Sequence, residues 1–255
     1  VCLVNRSTLF PDTDMPVLSE ALQRQVHEHF FPHWHIDSIL VPFTSVQPIP
    51  TDAAQVVLLD DAPTAEANGW HELTAGGYAL AKVFVRAAAN AGVGVSYVAS
   101  HELLELLADY TANHYVRDDG GTFHMYEVCD PVNGRRYQSN GRYPDTRGIE
   151  LADFVLPDWF EEAGKPPFAF CDIPSSPAAL QGASGILRPF QLALGGFELV
   201  FRQSVSQTFN WATNRAPSAD TAKFRRSWRG KVLPSKGSRR EMLSMVPQQR
   251  RMSQQ

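Results

Sequence analysis

The strongest hydrophobic pattern in the chain lies in VSYVASHELLELLADY, residues 95–110. Val95, Val98, Leu103, Leu106 and Leu107 recur there at helical spacing, and Ala, Leu and Glu dominate the second half. Leu103, Leu104, Leu106 and Leu107 occupy nearly every face, so this helix is predicted to be buried together with its ionisable residues. A second, amphipathic helix is predicted over MPVLSEALQRQVHEHF, with Pro16 near its start and Val17, Leu18, Ala21, Leu22 and Val26 along one side. Apolar and β-branched runs predict strands at CLVNRS, IDSILVPF, QVVLLDD, AKVFVRA and TFHMYEVCDP, the last stopped by Pro131. Gly69, Gly76 and Gly77 read as a loop before AKVFVRA, and Asn133-Gly134 as a tight turn. The Pro-rich remainder reads as turns, short strands and loops. The order strand, helix, three strands, helix points to an α+β fold with its sheet against two helices.

At 255 residues the chain is long enough for one generous domain or two small ones. With 44% hydrophobic and 20% charged residues it is ordinary globular material, which excludes collagen-like, fully disordered and disulfide-scaffold classes. No apolar run reaches the ~18 residues of a membrane-spanning helix, so no membrane partner is expected. VCLVNRSTLF lacks a basic stretch followed by an apolar one and reads as carrying no secretory signal, which suits a cytoplasmic or virion protein. Cys2, Cys129 and Cys171 are too few and too scattered for a disulfide framework and read as buried thiols.

Charge divides the chain. Residues 1–216 carry 13 basic and 25 acidic side chains, whereas residues 217–255 carry 10 and 2. We therefore expect a domain over 1–210 followed by a basic, extended tail over 211–255 that is disordered on its own. Such a tail suits docking on an acidic neighbour in a homo-oligomer or assembly, and less well a nucleic acid.

The chemistry concentrates in His101-Glu102-Leu103-Leu104-Glu105. Residues four apart on a helix share a face and stand about 6 Å apart along its axis, so His101 and Glu105 can grip one divalent ion. Glu102 is turned by about 100° from His101, an offset that in helices of the HExxH pattern sets the carboxylate beside the metal-bound water. Buried carboxylates require a partner charge or a metal, because desolvating them unpaired costs several kcal/mol. A third ligand must come from elsewhere. Glu127 is the first choice, because strand alternation sets it on the apolar face of Phe123, Met125 and Cys129. Asp109 and Asp130 are the rivals. Asp109 lies about 12 Å from His101 along the axis and suits a helix-end role, and Asp130 before Pro131 suits a turn. His33, His35 and Asp37 suit a structural role, with His114 and His124 as weaker ligand candidates. His71-Glu72 repeats the start of the motif, but the glycines after it exclude a helix. Ser100 reads as a helix cap or packing residue.

The segment resembles the active-site helix of zincin metallopeptidases, with Glu105 in place of the second histidine. WHID at 34–37, WHELTAGGYALAKVFV, SHELLELLAD and EVCDPV resemble, more closely, a group of phage and bacterial proteins described as hypothetical metalloproteases. The resemblance spans roughly residues 30–200. It implies a zincin-like sheet packed on a backing helix and a metal-site helix. It also implies a peptide or protein substrate, His101, Glu105 and Glu127 as metal ligands, and Glu102 as general base to a metal-activated water. Zn2+ is the implied cofactor. The extra carboxylate makes zinc a weaker Lewis acid and favours harder ions such as Ca2+ or Mn2+. The competing reading is a structural or assembly protein of a phage or virus-like particle, built on a degenerate zincin scaffold.

Overall fold

The computed structural model describes residues 1–44, 46–63, 67–139, 149–202 and 208–213. The fold is α+β. Its main sheet has five strands in the order β2-β1-β3-β5-β4: β1 is Cys2–Asn5, β2 Val41–Phe43, β3 Gln55–Leu59, β4 Gly69–Leu73 and β5 Ala79–Phe84. The first four run parallel and β4 is antiparallel to β5, forming an edge. Val56, Leu58, Ala81 and Val83 point into the core, where the central parallel strands are covered.

Two helical segments pack on this sheet and on each other. The first runs from α1, Met15–Arg24, through a π-helical stretch at Gln25–Phe30 into α2, Phe31–Trp34. It ends at His35, whose positive φ of 56° stops the helix. After a short α3, Val85–Asn90, comes α4, Val95–Ala108. Every α4 residue from Tyr97 to Ala108 is buried. This matches the expectation from its leucines: a helix apolar all round is stable only in an interior.

The later chain forms β6 Tyr115–Arg117, β7 Thr122–Met125, the pair β8 Arg136–Gln138 and β9 Glu150–Ala152, then β10 Phe197–Arg202 and β11 Thr208–Thr213. β11, β10, β7 and β6 make a second, antiparallel sheet. Around them Phe30, Trp34, Phe154, Trp159, Phe160 and Phe168 build an aromatic core.

Several expectations need correction. Residues 69–73, read as loop, form β4: Gly69 is the strand's single glycine, and pairing with β5 supplies the ladder that local sequence does not reveal. The strand expected over TFHMYEVCDP stops at Met125 and a 3-10 turn follows at Asp130–Val132. IDSILVPF contributes only Val41–Phe43. Ser100 is no cap: it lies in the middle of α4. Asn133-Gly134 does turn the chain, with Gly134 at φ 84° and Arg135 N–H donating to the Val132 carbonyl at 3.0 Å. All three cysteines are free and buried. Among the described residues no helix is long and apolar enough to cross a membrane. From residue 214 onward the expected basic tail lies outside the described residues, as do the docking and nucleic-acid roles assigned to it.

Candidate metal centre

α4 is held from behind by a buried polar network. Ser100 Oγ donates to Gln25 Oε1 at 2.6 Å and accepts from Ala152 N–H at 2.8 Å. Gln25, in the π-helical stretch, donates to the Ala152 carbonyl at 2.8 Å and to Tyr137 at 3.2 Å. This network fixes the rotation of α4, so its opposite side faces β4 and the segment 126–130.

On that side His101 Nε2 lies 3.2 Å from Glu105 Oε1, the pairing that the four-residue spacing predicts. Asp130 Oδ1 meets the same nitrogen at 3.1 Å, so its side chain serves the histidine rather than the turn expected of it. Cys129 closes in from the same loop: its N–H donates to Glu105 Oε1 at 3.2 Å, and donor atoms of His101, Glu105 and Cys129 all lie within 4.8 Å of one another. Glu127 is buried, as its apolar neighbours imply, but it does not belong to that group. It stands with His71 and Asp109, its Oε2 3.6 Å from His71 Nε2. Asp109 follows the last residue of α4 and holds the turn after it, accepting N–H bonds from Asn113 and His114 at 3.0 Å. Its helix-end role is therefore observed, alongside its place in the His71 group.

His71 is the residue that sequence reasoning passed over. On β4 it alternates with Trp70 and Glu72, which turn to the other face: Glu72 pairs with Lys82, and Trp70 lies against Phe84. His71 instead enters the cluster, with its Nδ1 3.9 Å from Glu105 Oε2 and its side chain only 6% exposed. The signal was present in alternation of Gly69, His71 and Leu73, obscured by the glycines around it. Gly69 itself is pressed against Glu102, where a Cβ would stand 2.6 Å from Oε1.

Glu102, Glu105, Asp109, Glu127 and Asp130 are all buried. Among the described residues every ion pair they make is with a histidine; none is with lysine or arginine. The electrostatics register this excess. Burial, with Glu105 and Asp130 adding to it, lifts Glu102 well above the ordinary carboxylate range. Burial lifts Glu127 likewise, reinforced by Glu105, Asp130, Asp109 and Glu102. Asp130 rises to about 7, through burial and the Glu105 charge. Burial opposes charge on His101, yet Glu105, Cys129 and Asp130 together hold the imidazole well above its usual value.

The other candidates fall away from this cluster. His33 lies against Phe170, and the His27–Asp37 pair is exposed. His35 is exposed at the end of α2. His124 bonds Glu198 at 2.6 Å and stacks on Phe190, while His114 touches only the cluster's edge through Asp109 at 3.5 Å.

A cation fits this donor set. Among the described residues His71 Nε2 and Glu127 Oε2 are buried without a hydrogen-bond partner, and no lysine or arginine pairs with the buried acids. Compared with family models, with curated proteins and with solved structures, the chain matches none of them.

Proposed function

We propose that the protein is a zinc-dependent hydrolase of peptide bonds, with a zincin-like arrangement of sheet, backing helix and metal-site helix. The carrying observation is the His101–Glu105 pair at 3.2 Å on a helix buried from Tyr97 to Ala108, among acids whose ion pairs, among the described residues, are all with histidines. His101, Glu105 and Cys129 form one compact donor set, and Glu102 stands beside it, within 4.8 Å of donor atoms of Glu105 and His71. An imidazole, a carboxylate and a thiolate favour Zn2+ over Ca2+ or Mn2+, which prefer oxygen alone. A bound zinc ion supplies Lewis-acid polarisation of a carbonyl and acidifies water at neutral pH.

The remaining work belongs to the chain. Glu102 Oε1 takes the proton of the attacking water and returns it to the leaving amine. Asp130 Oδ1 lies 3.1 Å from His101 Nε2, the same nitrogen that meets Glu105, so it borders the donor set on the metal-facing side of the ring. β4 is a sheet edge running past Glu102 at Gly69, so an extended peptide can add to it as a further strand with its carbonyl carried to the site.

The test combines elemental analysis of protein purified without chelator with digestion of casein and short peptides. Wild type should hold zinc and cleave; E102Q should keep the zinc and lose cleavage by at least about a hundredfold; H101A should lose zinc from this site. Absence of stoichiometric metal, or cleavage unaffected by E102Q, overturns the reading.

A further inference from the structure

We infer that His71, Glu127 and Asp109 form a second divalent-cation site beside the His101–Glu105 ion. This deepens the proposed function and rests on it only for the identity of the first ion. Donor atoms of the three residues lie within 4.8 Å of one another. His71 Nε2 and Glu127 Oε2 face each other at 3.6 Å, and among the described residues neither atom has a hydrogen-bond partner. Their side chains are 6% and 8% exposed. Two buried polar atoms left unsatisfied in apposition are costly unless something sits between them.

The spacing says what that is. Donors about 2.1 Å from a tetrahedral ion stand about 3.4 Å apart, which is longer than a good hydrogen bond and near the observed separation. The far nitrogen of the ring fits as well. A metal-bound imidazole commonly turns its other N–H to a carboxylate, and His71 Nδ1 faces Glu105 Oε2 at 3.9 Å. The two oxygens of Glu105 thus look toward different histidines: Oε1 toward His101 at 3.2 Å, Oε2 toward His71. Glu105 is the link between the two sites, a ligand of one ion and an orienting group for the ligand of the other. Asp109 is fixed by two backbone N–H groups at 3.0 Å, so the third donor is held in place before any ion arrives. One nitrogen with two carboxylate oxygens is a harder donor set than the His101 site with its sulfur, so Mn2+ competes with Zn2+ here.

The experiment counts ions rather than turnover. Chelator-treated full-length protein is dialysed against Zn2+, or against Mn2+, and its metal content is measured with circular dichroism recorded in parallel. Wild type should hold two equivalents of Zn2+. H71A and the isosteric E127Q should each fall to one, a twofold loss, and H101A should also fall to one. The H71A/H101A double variant should hold none. With Mn2+ alone, the equivalent retained by wild type should disappear in E127Q and persist in H101A. A wild type with one equivalent overturns the second site: if H101A then abolishes it, the first ion stands alone, and if H71A abolishes it, His71 serves the first ion instead. No metal in wild type overturns the proposed function as well. An E127Q protein with native circular dichroism and two equivalents also overturns the inference.

Discussion

Glu102 lies directly against Gly69: a methyl group at Gly69 would stand 2.6 Å from Glu102 Oε1 and 2.8 Å from its Cγ. The edge strand can approach α4 this closely only because residue 69 has no side chain. Glu102 is buried, with 6% of its surface exposed. G69A should therefore displace the carboxylate rather than the strand. We expect hydrolysis to fall at least about tenfold, with an overpacking cost of about 1–3 kcal/mol and unchanged zinc content. Parallel kinetics, metal analysis and thermal unfolding check this; unaltered kinetics would show that Glu102 is not positioned by this contact.

Ser100 ties α4 to the π-helical stretch through Gln25 and to β9 through the Ala152 N–H. S100A leaves both partners buried and unpaired. It should destabilise the fold by about 1–3 kcal/mol in urea unfolding. Its zinc stoichiometry should remain that of wild type, because the hydroxyl lies behind α4 and not in the cluster.

Asp130 has its pKa raised from 3.8 to about 7, by burial first and then by the Glu105 charge. A carboxyl whose folded pKa exceeds its unfolded value stabilises the fold below the unfolded pKa. That contribution is lost as pH rises through the folded value. In metal-free protein the stability of wild type relative to D130N should therefore decline between about pH 4 and 7. Urea midpoints of both proteins across this range provide the measurement, and saturating zinc should flatten the difference.

His29 shows the opposite sign. Burial first, then the His33 charge, lowers its pKa from 6.5 to about 4, and its Nδ1 sits 2.8 Å from the Tyr137 hydroxyl. The folded state holds it neutral, so its contribution is present above pH 6.5 and lost as pH falls toward 4. The full shift corresponds to about 3 kcal/mol. H29Q should reduce the loss of stability between neutral pH and pH 4.5, and NMR titration of the wild-type ring should show no protonation near pH 6.

Both main helices, the strands around Cys2 and Gln55 and the buried state of α4 were legible in the chain, because they follow from local periodicity. The His101–Glu105 pairing was legible for the same reason: a helix converts spacing of four into contact. Glu127 was read as a buried acid beside His101, and the structure sets it against His71. Alternation reports which face a side chain occupies but not what stands across from it, and the strand ends at Met125 before reaching Glu127.

By itself the sequence determined an α+β chain with a leucine-wrapped helix that carries an imidazole and two carboxylates into an interior. Only the tertiary structure decided their company. Hydrogen bonding of Gly69–Leu73 to β5 turns His71 inward, and the turn after β7 delivers Cys129 and Asp130 to His101. Helical neighbours are set by bonds a few residues apart. Neighbours across a sheet edge or a loop are set by which distant strands exclude water together, and no local pattern encodes that choice.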